Sequence, residues 1–161
     1  MSDFETLYRR HAQDVFRFAL YLCGNRPEAE DITSETFVRA WTARDRLRLS
    51  TVKAYLLTIA RNLHRQGWRD RSRQRPLDAS FADGTPGPEA QADGRAELDA
   101  VLAALQTWPE VDRAALLMRA QDGMPYEDIA TALGLSLAAV KVKIHRARVR
   151  LAELPNSGGR R

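Results

Sequence analysis

A basic stretch near the end of the chain, residues 137–154, carries the clearest chemical signal. At 100° per residue, one face of a helix over this stretch is apolar, with Leu137, Val140, Ile144, Ala147, Leu151 and Leu154. The centre of the opposite face holds small or neutral groups, Ala138, Val142, His145 and Val149, and its edges carry Lys141, Lys143, Arg146, Arg148 and Arg150. Cations on both edges can contact the two phosphate backbones that border a major groove, while the uncharged centre approaches base edges. The pattern therefore predicts a DNA-binding helix.

The residues before this helix support that interpretation. Residues 124–133 predict a shorter helix, which has Pro125 in its first turn and the acids Glu127 and Asp128 at its positive end. Gly134 ends it, and Ser136 is a good N-cap for the following helix. Two helices around a tight turn are typical of a helix-turn-helix, so a solvated amphipathic helix is the less favoured alternative.

Length and composition limit the possible number of domains, the location and the class of function. Its 161 residues, 44% of them hydrophobic, allow one domain or two small ones. The N-terminus lacks a basic segment followed by an apolar one, and no uncharged run approaches the roughly twenty residues of a membrane span, so we expect a cytoplasmic location. Cys23 is the only cysteine, and the three histidines lack metal-ligand spacing. We therefore expect no disulfide, metal or cofactor, and no enzyme, since nucleophile arrangements and phosphate-binding glycine loops are also missing.

The formal net charge of +4 conceals a strong pattern along the chain. Residues 44–75 contain ten basic and two acidic side chains, whereas residues 76–112 contain one basic and eight acidic ones. Residues 137–161 are basic again, with a net charge of +6. Two basic blocks around an acidic one suggest two contacts with nucleic acid, although a solvated surface remains an alternative for either block.

Helical periodicity predicts two small all-α domains joined by a flexible linker. In the first domain, residues 1–75, it predicts helices over Asp3–Cys23, from Pro27 to about Ala43, and around residues 54–63. Residues 76–94 are rich in proline and glycine and poor in large apolar side chains, which is typical of a linker between domains that fold separately. The second domain, residues 95–154, adds two helices before the helix-turn-helix, and residues 155–161 form a tail.

Four motifs in this order resemble one known family. They are FETLYRRHAQDVFRFA, PEAEDITSETFVRAW, AYLLTIARN and, after the linker, YEDIATALGLSLAAVKVKIHRAR. Over nearly its whole length the chain is similar to the extracytoplasmic-function (ECF) branch of bacterial RNA polymerase sigma factors, which consist of helical regions two and four. The resemblance implies a transcription initiation factor that binds core RNA polymerase and promoter DNA. It leaves open whether an anti-sigma factor also binds.

The resemblance also implies roles for particular residues. Asp31, Ser34 and Glu35 would face the polymerase. The loop and helix between Arg46 and Arg65 would open and bind the minus-ten element, with Arg46, Arg48, Ser50, Lys53, Tyr55, Arg61, Asn62 and Arg65 as its contacts. The last helix would read the minus-thirty-five element through Ser136, Ala138, Lys141, Val142, Lys143, His145, Arg146 and Arg148.

The chain departs from the common family pattern at three of these positions. Ser34 stands where glutamine is common, Tyr55 where tryptophan is common, and Val142 where a small polar residue is usual. The promoter sequence therefore cannot be taken from a relative. A stand-alone helix-turn-helix regulator is the alternative function, although such proteins normally add an α/β ligand-binding or phosphoacceptor domain, and the first domain here reads as wholly helical.

Overall fold

The computed structural model of this protein describes residues 3–42, 51–74 and 95–153, and every regular element within these ranges is a helix. The helices are α1 (Asp3–Cys23), α2 (Arg26–Thr42), α3 (Val52–Gln74), α4 (Arg95–Leu105), α5 (Glu110–Leu116), α6 (Tyr126–Leu133) and α7 (Leu137–Ala152). A π-helical turn, Leu117–Gln121, continues α5. The predicted all-α fold is confirmed. Within the described ranges, no helix has both the length and the apolar character needed to span a membrane.

Helices α1, α2 and α3 form the first domain around a common core. Val15, Phe18, Leu22, Phe37, Leu56 and Leu57 are almost completely buried there. Gly24 ends α1 with a φ of 73°, and the Asn25 side chain accepts a hydrogen bond of 2.8 Å from the Glu28 backbone N–H. Because Asn25 is the N-cap, α2 begins at Arg26, one residue before the predicted start at Pro27. The basic run after the third apolar cluster remains helical as far as Gln74.

The second domain ends in the predicted helix-turn-helix. Gly134 takes the left-handed conformation, with a φ of 69°, that ends α6. Ser136 then caps α7, since its hydroxyl oxygen accepts a hydrogen bond of 3.0 Å from the Ala139 backbone N–H. Ile129 of α6 and Val140 and Ile144 of α7 are buried together, which fixes the two helices against each other. The helix-turn-helix prediction is confirmed.

The two domains share one hydrophobic core. Met118 and Ile129 of the second domain belong to the same buried cluster as Phe18 and Leu57 of the first. This contact was not expected from the sequence. That each domain folds alone stays a prediction, as do the boundaries 1–75 and 95–154. The predicted linker, residues 76–94, and the tail, residues 155–161, lie outside the described residues.

A buried cation holds the domains together. The Arg113 guanidinium of α5, 5% exposed, donates hydrogen bonds to the carbonyl oxygens of Leu22 (2.9 Å), Trp108 (2.9 Å) and Leu105 (3.3 Å). These carbonyls lie at or just beyond the C-terminal ends of α1 and α4, where backbone oxygens lack helical partners. Burial lowers the pKa of the Arg113 guanidinium below its ordinary value, while the Glu110 carboxylate acts in the opposite direction. One side chain thus satisfies helix ends in both domains.

Candidate nucleic-acid interface

The outer face of α7 has the composition that the sequence predicts. Val140, Ile144 and Ala147 are buried, whereas Ala138, Lys141, Val142, His145, Arg146, Arg148 and Val149 are exposed on the other side. Val142 and Val149 are 46% and 48% exposed, so an apolar strip runs along the centre of this surface. Leu137, which the pattern assigns to the inner face, is instead exposed at the first residue of the helix. A convex helix face with a neutral centre and cationic edges fits a major groove.

The cations on α7 differ in their surroundings. The Lys143 ammonium donates a hydrogen bond of 2.7 Å to the Asp112 carboxylate of α5. Lys141 lies over the Tyr126 ring, 5.8 Å from its centroid, and Arg150 lies 5.2 Å from the centroid of the Trp108 ring. Arg146 and Arg148 are exposed and have no ion-pair partner among the described residues. Most of these positive charges therefore remain available to an outside anion.

On α3, the predicted minus-ten residues fall into two groups. Asn62 and Arg65 are exposed and Tyr55 is partly buried against the core. Arg61 is only 3% exposed, and its guanidinium donates two hydrogen bonds, of 2.8 and 2.7 Å, to the two carboxylate oxygens of Glu110 at the start of α5. In this arrangement Arg61 does not reach solvent. The predicted contacts Arg46, Arg48 and Ser50 lie outside the described residues.

Lys53, the remaining predicted contact, belongs to a charge cluster between the domains. Its ammonium lies 3.2 Å from the Asp14 carboxylate of α1 and 3.7 Å from that of Asp122, and Arg17 lies 3.9 Å from Asp122. The Asp122 side chain has no exposed surface. Burial raises the pKa of Asp122 from 3.8 to about 6, although Lys53 and Arg17 act to lower it. Desolvation therefore outweighs the two cations at this carboxyl group.

The predicted polymerase contacts lie together on α2. Asp31, Ser34 and Glu35 are all exposed, whereas Ile32 and Phe37 point into the core. Glu35 accepts a hydrogen bond of 3.1 Å from Arg39 within the same helix. The acids are therefore not needed for packing, and they are available on one side of the first domain.

Comparison with known proteins agrees with this geometry. Residues 7–74 match the family described as Sigma-70 region 2, and residues 98–151 match Sigma-70, region 4. The ECF RNA polymerase sigma factor EcfG of Rhodopseudomonas palustris is 34% identical over 139 residues, which cover 85% of this chain and 76% of EcfG. The chain belongs to the ECF family of RNA polymerase sigma factors.

Other relatives extend the similarity over nearly the whole chain. The ECF sigma factor SigE of Mycolicibacterium smegmatis is 35% identical over 159 residues, which are 95% of this chain but 62% of SigE. Among solved structures, the sigma factor RpoE from Bartonella quintana, in complex with the anti-sigma factor NepR, has a TM-score of 0.79 at 29% identity and covers 95% of this chain and 96% of its own. CnrH in complex with the cytosolic domain of CnrY has a TM-score of 0.68 at 27% identity, covering 97% and 89%.

Three residues important to this sigma factor's charge pattern were missed from the sequence: Glu110, Arg113 and Asp122. Glu110 follows Pro109 at the first position of a helix, where an acid is ordinarily explained by the helix dipole. Asp122 precedes a turn glycine, Gly123, and there an acid is common on the surface. Arg113 gave no signal either, since the stretch that forms α5 and its continuation also contains the charged residues Glu110, Asp112 and Arg119. Their partners lie far away in sequence, so no local pattern identifies them.

A cleft of about 560 Å³ separates the second half of α3 from the junction of α4 and α5. His64, Arg65 and Arg69 line it on the α3 side, and Gln106, Trp108, Glu110 and Arg113 line it on the other. The exposed residues Arg65 and Arg69 of α3 therefore face the second domain across this cleft. A volume of this size suits a small molecule and is far too small for a DNA duplex.

Proposed function

We propose that this sigma factor binds core RNA polymerase in the cytoplasm and directs it to promoters, contacting the minus-thirty-five element through α7 and the minus-ten element through α3. The single observation that carries the proposal is the neutral centre of α7, which is exposed between two rows of cations on a helix whose inner face is buried. Such a surface can enter a major groove without leaving a charge buried and unpaired.

On α7, the edge residues bind phosphate and the central residues read bases. Lys141, Arg146 and Arg148 supply positive charge that favours any DNA sequence and makes binding sensitive to salt. His145 can form a hydrogen bond with a base edge, and the Val142 methyl groups can contact the thymine methyl group. Ser136 and Ala138 at the start of the helix allow a close approach of the backbone. Lys143 contributes less than Lys141, since Asp112 already holds its ammonium.

On α3, Asn62 and Arg65 lie one helical turn apart on the exposed side. An amide offers both a donor and an acceptor to a base edge, and a guanidinium binds phosphate. Tyr55 supplies a ring on which an unstacked base can lie, which supports opening of the duplex because the separated bases are captured. Lys53 becomes available to DNA when its ion pairs with Asp14 and Asp122 break, and Arg61 when its ion pair with Glu110 breaks.

The polymerase contact uses the exposed acids of α2. Asp31 and Glu35 are four residues apart and therefore share a helix face, with Ser34 beside them. Their carboxylates suit a basic surface on the polymerase. Ser34 is shorter than the glutamine common in the family, so the contact at this position is less extensive.

An anti-sigma factor is a further proposed partner. The support is the similarity to RpoE, which was crystallised with the anti-sigma factor NepR, over 95% of this chain. The RNA polymerase sigma factor CnrH, whose structure contains the cytosolic domain of CnrY, is a second relative that binds another protein. A protein that binds across both domains of this sigma factor would hold them in one arrangement.

Run-off transcription with purified core RNA polymerase and fragmented genomic DNA tests the proposal. We expect this protein to direct synthesis from defined start sites that core polymerase alone does not use. A stand-alone helix-turn-helix regulator would bind DNA without conferring initiation on the core enzyme, so binding without defined transcripts would contradict the proposed function.

A further inference from the structure

We propose that the second domain closes over the DNA-binding side of α3, and that the Glu110 carboxylate occupies on Arg61 the position that a DNA phosphate takes in the promoter complex. The inference rests on the proposed function, because it requires Arg61 to contact DNA. It goes further in assigning Glu110, which no motif identifies, as an intramolecular competitor of DNA.

The geometry of the pair supports this assignment. Both carboxylate oxygens of Glu110 accept hydrogen bonds from Arg61, at 2.7 and 2.8 Å. Carboxylate and phosphate groups both present two oxygens to the fork of a guanidinium, so each can take the other's place on Arg61. The Arg61 side chain is 4% exposed, and therefore a phosphate cannot bind it until Glu110 leaves.

The contact joins residues that are 49 positions apart and belong to different domains. Two further groups lie at the same contact between the domains. Arg113 of α5 donates to the Leu22 carbonyl oxygen at the end of α1, and Asp122 lies between Lys53 and Arg17 of the first domain. Lys53 is itself a predicted minus-ten contact. Closure therefore buries Arg61 and brings a second carboxylate close to Lys53, which already pairs with Asp14 of its own domain.

Two further cations of α3, Arg65 and Arg69, are exposed, but the approach of DNA to them is restricted. Arg65 and Arg69 line the cleft of about 560 Å³ whose opposite wall is formed by Gln106, Trp108 and Glu110. The Gln106 amide of this wall also donates a hydrogen bond of 3.2 Å to the Tyr21 carbonyl oxygen of α1. A DNA strand with its phosphates and bases cannot lie along α3 until the second domain moves away.

The closed arrangement can also be opened. Replacing the Glu110 carboxylate by a phosphate keeps Arg61 paired, so release does not leave a buried cation without a partner. The other contacts of closure are hydrogen bonds, ion pairs and the hydrophobic core that the two domains share, so opening exposes apolar surface that polymerase must cover. Binding of both domains to polymerase and promoter can therefore shift the equilibrium, provided that the open form binds them more strongly.

The test compares Glu110→Gln with Glu97→Gln in the full chain. Both changes remove one negative charge from the second domain, but Glu97 is exposed on α4 and has no ion pair among the described residues. Small-angle X-ray scattering measures the radius of gyration, and fluorescence anisotropy measures binding of a labelled, random-sequence single-stranded DNA. We expect Glu110→Gln to increase the radius of gyration and to tighten DNA binding about five- to tenfold relative to Glu97→Gln. Equal values for the two variants would overturn the inference.

A charge exchange separates closure from folding defects. Arg61→Glu should expand the protein, and the double change Arg61→Glu with Glu110→Arg should restore the compact form without restoring tight DNA binding. A wild-type protein that is already expanded, or a compact Arg61→Glu variant, would contradict closure. Expansion of Glu110→Gln without tighter DNA binding would contradict the competition. Run-off transcription by the wild-type protein tests the proposed function independently. If the wild type yields defined transcripts and one of the contradicting results is found, this inference is wrong while the proposed function holds.

Discussion

Helices α3 and α7 are both basic, and both are predicted to bind DNA, yet they use their cations differently. Among the described residues of α7, Lys143 alone has an acidic partner, Asp112 of its own domain. On α3, Arg61 is held by Glu110 of the other domain, and Lys53 lies between Asp14 of its own domain and Asp122 of the other. The acidic segment that separates the two basic blocks in the sequence thus provides, through Glu110, a partner for the first block. A basic helix therefore does not by itself identify its partner, because an acid of the same chain can compete with a phosphate.

The strongest test of this contrast replaces a buried cation and an exposed one. Arg113→Met keeps most of the aliphatic stem but leaves the carbonyl oxygens of Leu22, Leu105 and Trp108 without their donor. We expect the free energy of unfolding in urea to fall by about 3 kcal/mol or more. Arg148→Met, on the exposed face of α7, should change it by less than about 0.5 kcal/mol. Similar losses for the two variants would mean that Arg113 does not join the domains.

The acids of α2 allow the same comparison between exposed and paired groups for negative charges. Unlike Asp122 and Glu110, Asp31 and Glu35 are exposed. The double change Asp31→Lys and Glu35→Lys should abolish the capture of core polymerase in a pull-down, since it reverses both proposed contacts. The free energy of unfolding, measured by thermal denaturation, should change by no more than about 1 kcal/mol, which is the scale of helix-dipole interactions and ion pairs within a helix. Retained capture by a folded variant would remove this surface from the polymerase contact.

The features that could be predicted from the sequence are those that local patterns determine. Periodicity predicts the extent of α1, the conformational freedom of glycine predicts the turn at Gly134, and side-chain capping predicts the role of Ser136. All three agree with the structure. The exposed face of α7 follows from the same periodicity. The pairing of Arg61 with Glu110 could not be predicted, because it depends on how two domains meet across 49 residues. The proline and glycine linker predicted separation, whereas apolar side chains on both domains favour contact.

Base recognition by α7 can be separated from its charge. His145→Ala leaves every cation on the helix in place, so general affinity for DNA should change little. We expect the preferred minus-thirty-five sequence, selected from a promoter library, to change at one or two base pairs by about 1 to 3 kcal/mol. An identical preferred sequence for wild type and variant would show that His145 does not read bases.

The closed arrangement should depend on pH through Asp122. Its pKa is about 6 in the closed fold, against 3.8 when exposed, so its contribution to stability is complete below pH 4 and is lost as the pH rises through 6. Between pH 5 and pH 7.5 we expect a loss of about 1 kcal/mol in the free energy of unfolding, which Asp122→Asn should remove. His11, whose pKa is lowered mainly by burial, acts in the opposite direction. The difference between wild type and variant therefore isolates Asp122, and parallel pH profiles would exclude it.

The smallest expected effect compares two lysines on α7 that differ in their partners. Lys141→Ala should reduce the slope of log affinity against log salt concentration by about 0.9, since one phosphate contact is lost. Lys143→Ala should reduce it less, because the Lys143 ammonium is hydrogen-bonded to Asp112 at 2.7 Å. Asp112→Asn should then steepen the slope of the otherwise wild-type protein, because it frees Lys143 for phosphate. Equal reductions for the two lysine variants, with no response to Asp112→Asn, would mean that Lys143 exchanges its carboxylate for a phosphate when DNA binds. In that case α7 would release a cation from an acid in the same way that we propose for Arg61 on α3.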